Sequence, residues 1–174
     1  MYGAAVAVED EVARFHRDAL VVDLHNDLLT KLVLRGGEFR SGLGWPAPRF
    51  SARDEAVIDR LTGLVWRRAA SLVPEGVRWQ DALAAVARLN RDGGAGWRLP
   101  SINELESLTD CAAANPALAP DHPFTEVRDV YWSSTTSLYE PDWAWALYLD
   151  KGAVGVGQKS QARFHVWPVR ENHA

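Results

Sequence analysis

His25 and Asp27 stand two positions apart in the run VVDLHNDLL, an imidazole and a carboxylate of the kinds that bind zinc. A catalytic zinc site takes three protein ligands, and this stretch supplies two. Ser133-Ser134 in YWSST offers a pair of hydroxyls, but no Gly-x-Ser-x-Gly elbow raises either as a nucleophile. His122 and His165 are far apart in sequence and have no evident acid partner. Cys111 is the one cysteine, so the chain can form neither an internal disulfide nor a thiolate zinc cluster; set near alanines, it reads as a small buried residue. Residues 152–157, GAVGVG, are not followed by the helix that a phosphate-binding loop requires. Each of these constellations lacks a member, and the expectation is a protein without a catalytic centre.

The elements that must position any site are clearer. Leu20, Leu24, Leu28 and Leu32 fall at helical spacing inside residues 9–35, and Gly36-Gly37 supplies a stop, although Ala19–Leu24 reads equally as a short buried strand. Residues 36–50, rich in Gly, Pro and Ser, read as a linker or pinned loop. AVIDRLTGLVWRR (56–68) reads as a hairpin turning near Thr62-Gly63. Trp79, Ala82, Leu83, Val86 and Leu89 make one apolar stripe of an amphipathic helix, which Asn90–Gly96 ends. In GWRLPSINELESLTD, Ser101 and Glu104 have capping-box spacing, so a second helix is expected over 101–110. Pro100 sets its entry angle, and Trp97 and Leu99 before it are expected to face the first helix. Three more strands are expected at 143–149, 153–157 and 163–169, with Asp150-Lys151-Gly152 as a turn.

The totals narrow the class. A chain of 174 residues is most simply one folded core, burying about two-thirds of its unfolded surface. A formal net charge of −4 gives no reason to expect a nucleic-acid partner, and no apolar run approaches the ~20 residues that span a bilayer. The amino terminus lacks the basic region of a signal peptide, so the expectation is a cytoplasmic protein, or an exported one whose leader has been removed. The unusual count is eight tryptophans, which suits a fold with long irregular segments tied through indole N–H groups.

TGLVWRR, WQDAL, GWRLPSINELESLTD, YWSSTT, WAWALYLDKGAV and VWPVR, taken in order, resemble the C-terminal domain of collagen-like bacterial adhesins, the Lcl-C family, over about residues 48–170. The resemblance implies an α+β, C-type-lectin-like fold related to the formylglycine-generating enzyme domain. Two helices would pack on a small twisted antiparallel sheet with long loops, the first and last strands lying near one another. Trp66, Trp97, Arg98, Leu99, Pro100, Ser101, Glu104, Leu105, Trp132, Ser133, Ser134, Trp145 and Arg170 match its pattern and are expected to be scaffold, with Arg98 and Glu104 in a buried polar network. Residues 1–47 fall outside the resemblance and are expected to be an N-terminal extension preceding a domain at 48–174. Within it, DALVVDLHNDLLTKL is similar to the opening of the membrane dipeptidase family, where His25 and Asp27 would match zinc ligands. That family needs a whole (β/α)8 barrel, of about 250 residues.

Glu140-Pro-Asp142-Trp143 is similar to the sugar-selecting tripeptides of calcium-dependent lectins, but the partner motif of those lectins is absent, and a plain turn is the simpler expectation. In such folds the loops before the terminal strands carry the ligand. Here these are Ser137–Asp142 and Gly155–Arg163, displaying Tyr139, Asp142, Trp143, Gln158, Lys159, Gln161 and Arg163 to a glycan or a protein, with Lys159 and Arg163 favouring acidic groups. The leading expectation is therefore a non-enzymatic binding or adhesion module that needs no cofactor, calcium being the one candidate. Alternatives are the variable protein of a diversity-generating retroelement, a dipeptidase-like hydrolase remnant using His25 and Asp27, and an assembly protein oligomerising through residues 9–35.

Overall fold

The computed structural model describes residues 48–93 and 96–172. The helix expected at 9–35, the linker up to residue 47, and the His25/Asp27 pair lie outside the described residues.

Two short strands, β1 (Phe50–Arg53) and β2 (Ala56–Asp59), are joined by Asp54-Glu55, with Asp54 at φ 48°, a left-handed conformation that Asp tolerates. β2 then turns through residues 60–63 into β3 (Leu64–Arg67), so the expected hairpin is present. Its turn is tied by Asp59. This fully buried carboxylate accepts two bonds from the Arg49 guanidinium at 2.9 and 2.7 Å, one from the Leu61 amide and one from the Thr62 hydroxyl. A charge without water must be paired and hydrogen-bonded, and Asp59 is both.

Helix α1 (Trp79–Arg91) buries Ala82 and Val86 of the predicted stripe and Ala85 beside it, with Asp81 in its first turn and Arg88 and Arg91 in its last, as its dipole favours. Helix α2 is shorter than expected, Ile102–Glu106 rather than 101–110. Ser107 and Thr109 donate their hydroxyls to the carbonyls of Glu104 and Glu106, and the Leu108 and Thr109 amides reach back three residues, tightening the chain out of the α-helix.

The remaining strands are β4 (Val130–Thr136), β5 (Trp143–Tyr148), β6 (Ala153–Gln158) and β7 (Val169–Glu171). The described residues form two antiparallel sheets rather than one, ordered β1-β2-β3-β7 and β4-β5-β6. The strand expected at 163–169 does not extend the second sheet. Residues 164 and 165 make single bridges to Val77 and Tyr131, and the chain then crosses to lay β7 against β3. The last strand thus shares a sheet with the first hairpin, although β1 itself holds the opposite edge. β1 was unexpected: half of it is exposed, and it carries no apolar alternation.

The core lies between the sheets. Trp66 and Val57 from the first sheet meet Tyr131 and Leu147 from the second around Trp167, whose ring sits 5.4 Å from Trp66, 4.7 Å from Phe124 and 5.1 Å from Tyr131. A second cluster joins α1 to the far side of the second sheet through Ala82, Val86, Leu99, Trp132, Ala144 and Ala146, with Trp97, Trp79 and Phe164 packed on it. Trp97 and Leu99 therefore do face the first helix.

Candidate binding face

Period-two alternation decides what the second sheet shows. β5 and β6 pair Trp143 with Gln158, Trp145 with Val156 and Leu147 with Val154, so these residues share one face. The opposite face is Ala144, Ala146, Gly155 and Gly157, a floor of small residues. A Cβ on Gly157 would meet the Phe164 ring at 2.4 Å and Trp132 at 2.7 Å, and one on Gly155 would meet Tyr148 at 2.7 Å. Gly155 and Gly157 of GAVGVG therefore admit aromatic rings. With that face filled, Trp143, Trp145, Val156 and Gln158 are left on the other, beyond the part where Leu147 enters the core.

At this end of the sheet β4 bulges between Trp132 and Thr136, and the chain then runs out through Ser137–Asp142. Leu138 and Tyr139 are 86% and 91% exposed, and Trp145 and Val156 are 36% and 38% exposed. Glu140, Trp143, Ser137 and Val156 line a shallow, open concavity of about 320 Å3. The Trp143 amide bonds to the Glu140 carbonyl at 2.8 Å, so Glu140–Trp143 is a plain turn. Among the described residues no three His, Cys, Asp or Glu side chains gather as a metal-binding group, so this turn has no third carboxylate beside it.

The other tryptophans are engaged differently. The indole N–H groups of Trp79, Trp132 and Trp167 donate to the carbonyls of Ser133, Val77 and Arg67. Trp97 lies under the Arg170 guanidinium, 5.0 Å from ring centre, and Trp66 is fully buried. Each of these rings is packed into the domain or bonded to its backbone. Trp145 differs: opposite Val156 on the open face, it has neither an indole partner nor a ring partner among the described residues. Trp143 shares that condition. The alternation in WAWALY and AVGVGQ carried this information, since it puts both rings and Val156 on one side.

Of the expected ligand residues, Tyr139, Asp142, Gln161 and Arg163 are exposed, and Trp143 and Gln158 are half-buried on the face just described. Lys159 is half-buried as well, but its ammonium is engaged. Its ammonium donates to Thr136 Oγ1 at 2.9 Å and the Pro141 carbonyl at 2.8 Å, lies 4.4 Å from the Trp79 ring centre, and clamps the 137–142 loop to β6. An ammonium with three donors satisfies them locally rather than waiting in solvent.

The motif GWRLPSINEL is a joint. Ser101 accepts from the Glu104 amide, and Glu104 accepts from the Ser101 amide at 2.7 Å, completing the capping box. Arg98 grips the same carboxylate with two bonds at 2.8 and 2.7 Å and reaches Glu171 on β7 at 2.7 Å. The network is half-buried rather than buried, the Arg98 side chain being 40% exposed. Burial pushes the Glu104 carboxyl up, but the Arg98 and Ser101 bonds outweigh it and leave the group below its ordinary range; Glu104, chiefly, holds Arg98 charged. Pro100 is buried, and its carbonyl accepts from the Ser134 amide and hydroxyl.

The candidate nucleophiles are occupied. Buried Ser133 donates to the Trp145 carbonyl at 2.7 Å, and among the described residues no imidazole is bonded to it. His165 Nδ1 lies 3.4 Å from Ser71 Oγ, a pair the sequence did not suggest, but the Ser71 hydroxyl already donates to the Val73 carbonyl at 2.6 Å. His122 stacks near Phe124. Cys111 is exposed, against expectation, in a turn of the alanine-rich loop beyond α2.

No curated protein matches the chain. The family model of the Lcl C-terminal domain matches residues 55–170, which takes in the hairpin, both helices, the whole of the second sheet and the capping-box joint. The chain belongs to the Lcl C-terminal domain family.

Proposed function

We propose that the domain is a non-enzymatic binding module of adhesin type that takes a glycan on the open face of its second sheet. The observation that carries this reading is the pair Trp143 and Trp145, two rings on one face without an internal partner, in a protein whose other described tryptophans are buried, bonded or stacked. A sugar ring presents C–H groups to an aromatic plane and hydroxyls to its rim. Here the rim holds Glu140, Ser137 and the Gln158 amide, beside a shallow floor that fits a pyranose better than a deep pocket would. A C-type-lectin-like arrangement is consistent with the last strand returning to the first hairpin and with a long loop displayed before β5.

The test is a glycan array on the full chain, followed by calorimetric titration of the strongest glycan into the wild type, Trp143→Ala and Trp145→Ala. The expected result is binding weakened at least about tenfold by Trp143→Ala, with the fold intact by circular dichroism. An array without signal, or variants that bind as the wild type does, overturns the proposal.

A further inference from the structure

We infer that the outer face of the first sheet, centred on Arg170, docks an acidic segment of a protein partner. The inference is independent of the glycan reading, which concerns the other sheet. Register fixes the face. Val57, Trp66 and Val169 pair across β2, β3 and β7 and enter the core, so the alternate residues share the opposite side. These are Arg53, Ala56 and Arg67 in one row, and Ser51, Ile58, Val65 and Arg170 in the next. Three guanidinium groups thus stand on one face, and no acid belongs to it by register. The adjoining β1–β2 turn holds Asp54 and Glu55; Glu55 lies 3.9 Å from Arg67, and Asp54 has no ion pair among the described residues. Even if both turn carboxylates offset an arginine, one positive charge is uncompensated, and Arg170 is across the sheet from that turn.

Arg170 itself carries the second observation. Its guanidinium lies 5.0 Å from the centre of the Trp97 ring, and its Nε is enclosed without an acceptor. The group is half-buried and has no ion pair among the described residues, whereas neighbouring Arg98, bridged to Val169, engages both Glu104 and Glu171. A guanidinium drawn out of water without an anion is left short of partners. Stacking on the indole orients its planar fork, the geometry that receives a carboxylate through two bonds. By strand spacing, Arg53 and Arg67 are about 10 Å apart and Arg67 and Arg170 about 8 Å, within reach of acids at alternate positions of an extended chain, ~7 Å apart. Half-buried Ile58 between them gives an apolar side chain of such a peptide a place to lie, which a polysaccharide lacks.

The experiment titrates the full chain into a fluorescein-labelled octapeptide with Glu at every second position and Leu or Ser between, and into the same peptide with Gln for Glu, following anisotropy. The two peptides share length and apolar content, so the comparison isolates the carboxylates. The expected result is the acidic peptide bound about fivefold more tightly than the amide one, with the preference lost at 1 M salt. Arg170→Gln abolishes the preference, Arg53→Gln and Arg67→Gln each reduce it about twofold, and Arg88→Gln, on α1, leaves it unchanged. Arg53 is exposed and Arg67 makes one loose ion pair, so these two variants keep the test meaningful if Arg170→Gln disturbs the Trp97 stack. Equal binding of the two peptides, or a preference that survives the Arg53 and Arg67 variants, overturns the inference. So does binding of a heparin fragment that falls in Arg53→Gln and Arg67→Gln while the acidic peptide fails to bind, since the face would then take a polyanion of another class. None of these outcomes bears on Trp143 and Trp145.

Discussion

Replacing Glu104 with alanine should be damaging although the residue lies outside the apolar core, because one carboxylate serves three elements. It closes the cap of α2 through the Ser101 amide, holds Arg98 in the strand-like segment before the helix, and through Arg98 connects to Glu171 on β7. Loss of the cap costs about 1 kcal/mol. Loss of a bidentate, charge-assisted pair would cost about 3–5 kcal/mol if buried, but Arg98 is 40% exposed and keeps Glu171, so ~1–2 kcal/mol is the appropriate share. The sum of about 2–3 kcal/mol lowers the melting temperature by about 10 °C in a domain of this size. Scanning calorimetry of Glu104→Ala measures it directly. Glu104→Gln keeps an acceptor for the Ser101 amide and removes the charge, so it should lose about half as much.

The same carboxylate has a pH signature. Its ionisation lies below the ordinary value near 4.5, so its contribution is complete above that value and is lost as the pH falls through the depressed one. The acid limb of the stability curve should be shallower in Glu104→Gln than in the wild type. A Glu104→Ala protein melting within about 3 °C of wild type would refute the reasoning, since the joint would then be held by apolar contacts alone.

Gly157→Ala pushes a methyl into the Phe164 and Trp132 rings and should destabilise by about 1–3 kcal/mol in urea titration, although alanine suits a strand better than glycine. His165 is held below its ordinary value of 6.5, first by burial and then by the Arg128 charge, against the opposing charge of Asp129. It folds as the neutral imidazole, so its contribution is full above 6.5 and declines as the pH falls below; His165→Gln should flatten that part of the stability curve, read by thermal melts from pH 8 to 5. Trp132→Ala should cost about 3–5 kcal/mol by denaturant titration and Trp145→Ala less than ~1 kcal/mol, because one ring is enclosed and hydrogen-bonded and the other is neither.

What could be read from the residues was local. The capping box needs only Ser101, Glu104 and three intervening bonds of chain, and α1 needs only its stripe, so both stood in the sequence. The partition into two sheets did not, because β7 finds β3 about a hundred residues away, and nothing in VRE says which edge it will join. β1 went unseen for a related reason: a four-residue edge strand draws its order from β2 and the Asp54 turn rather than from its own pattern. Lys159 shows the limit at the candidate site. A lysine in a polar loop reads as displayed charge, and only the approach of Thr136, Pro141 and Trp79 from three other segments turns it inward.

That inward turn links fold to function. Loops that bind are usually ordered at the expense of affinity, since each immobilised side chain subtracts from the contacts it makes. Here Lys159 ties the 137–142 loop to the end of β6, and Phe164 and Trp132 on Gly157, with Tyr148 on Gly155, fill the opposite face of the sheet. On the proposed reading, the face bearing Trp143 and Trp145 is preorganised for a ligand, and the part of its apolar area that the fold leaves exposed is what a partner would cover.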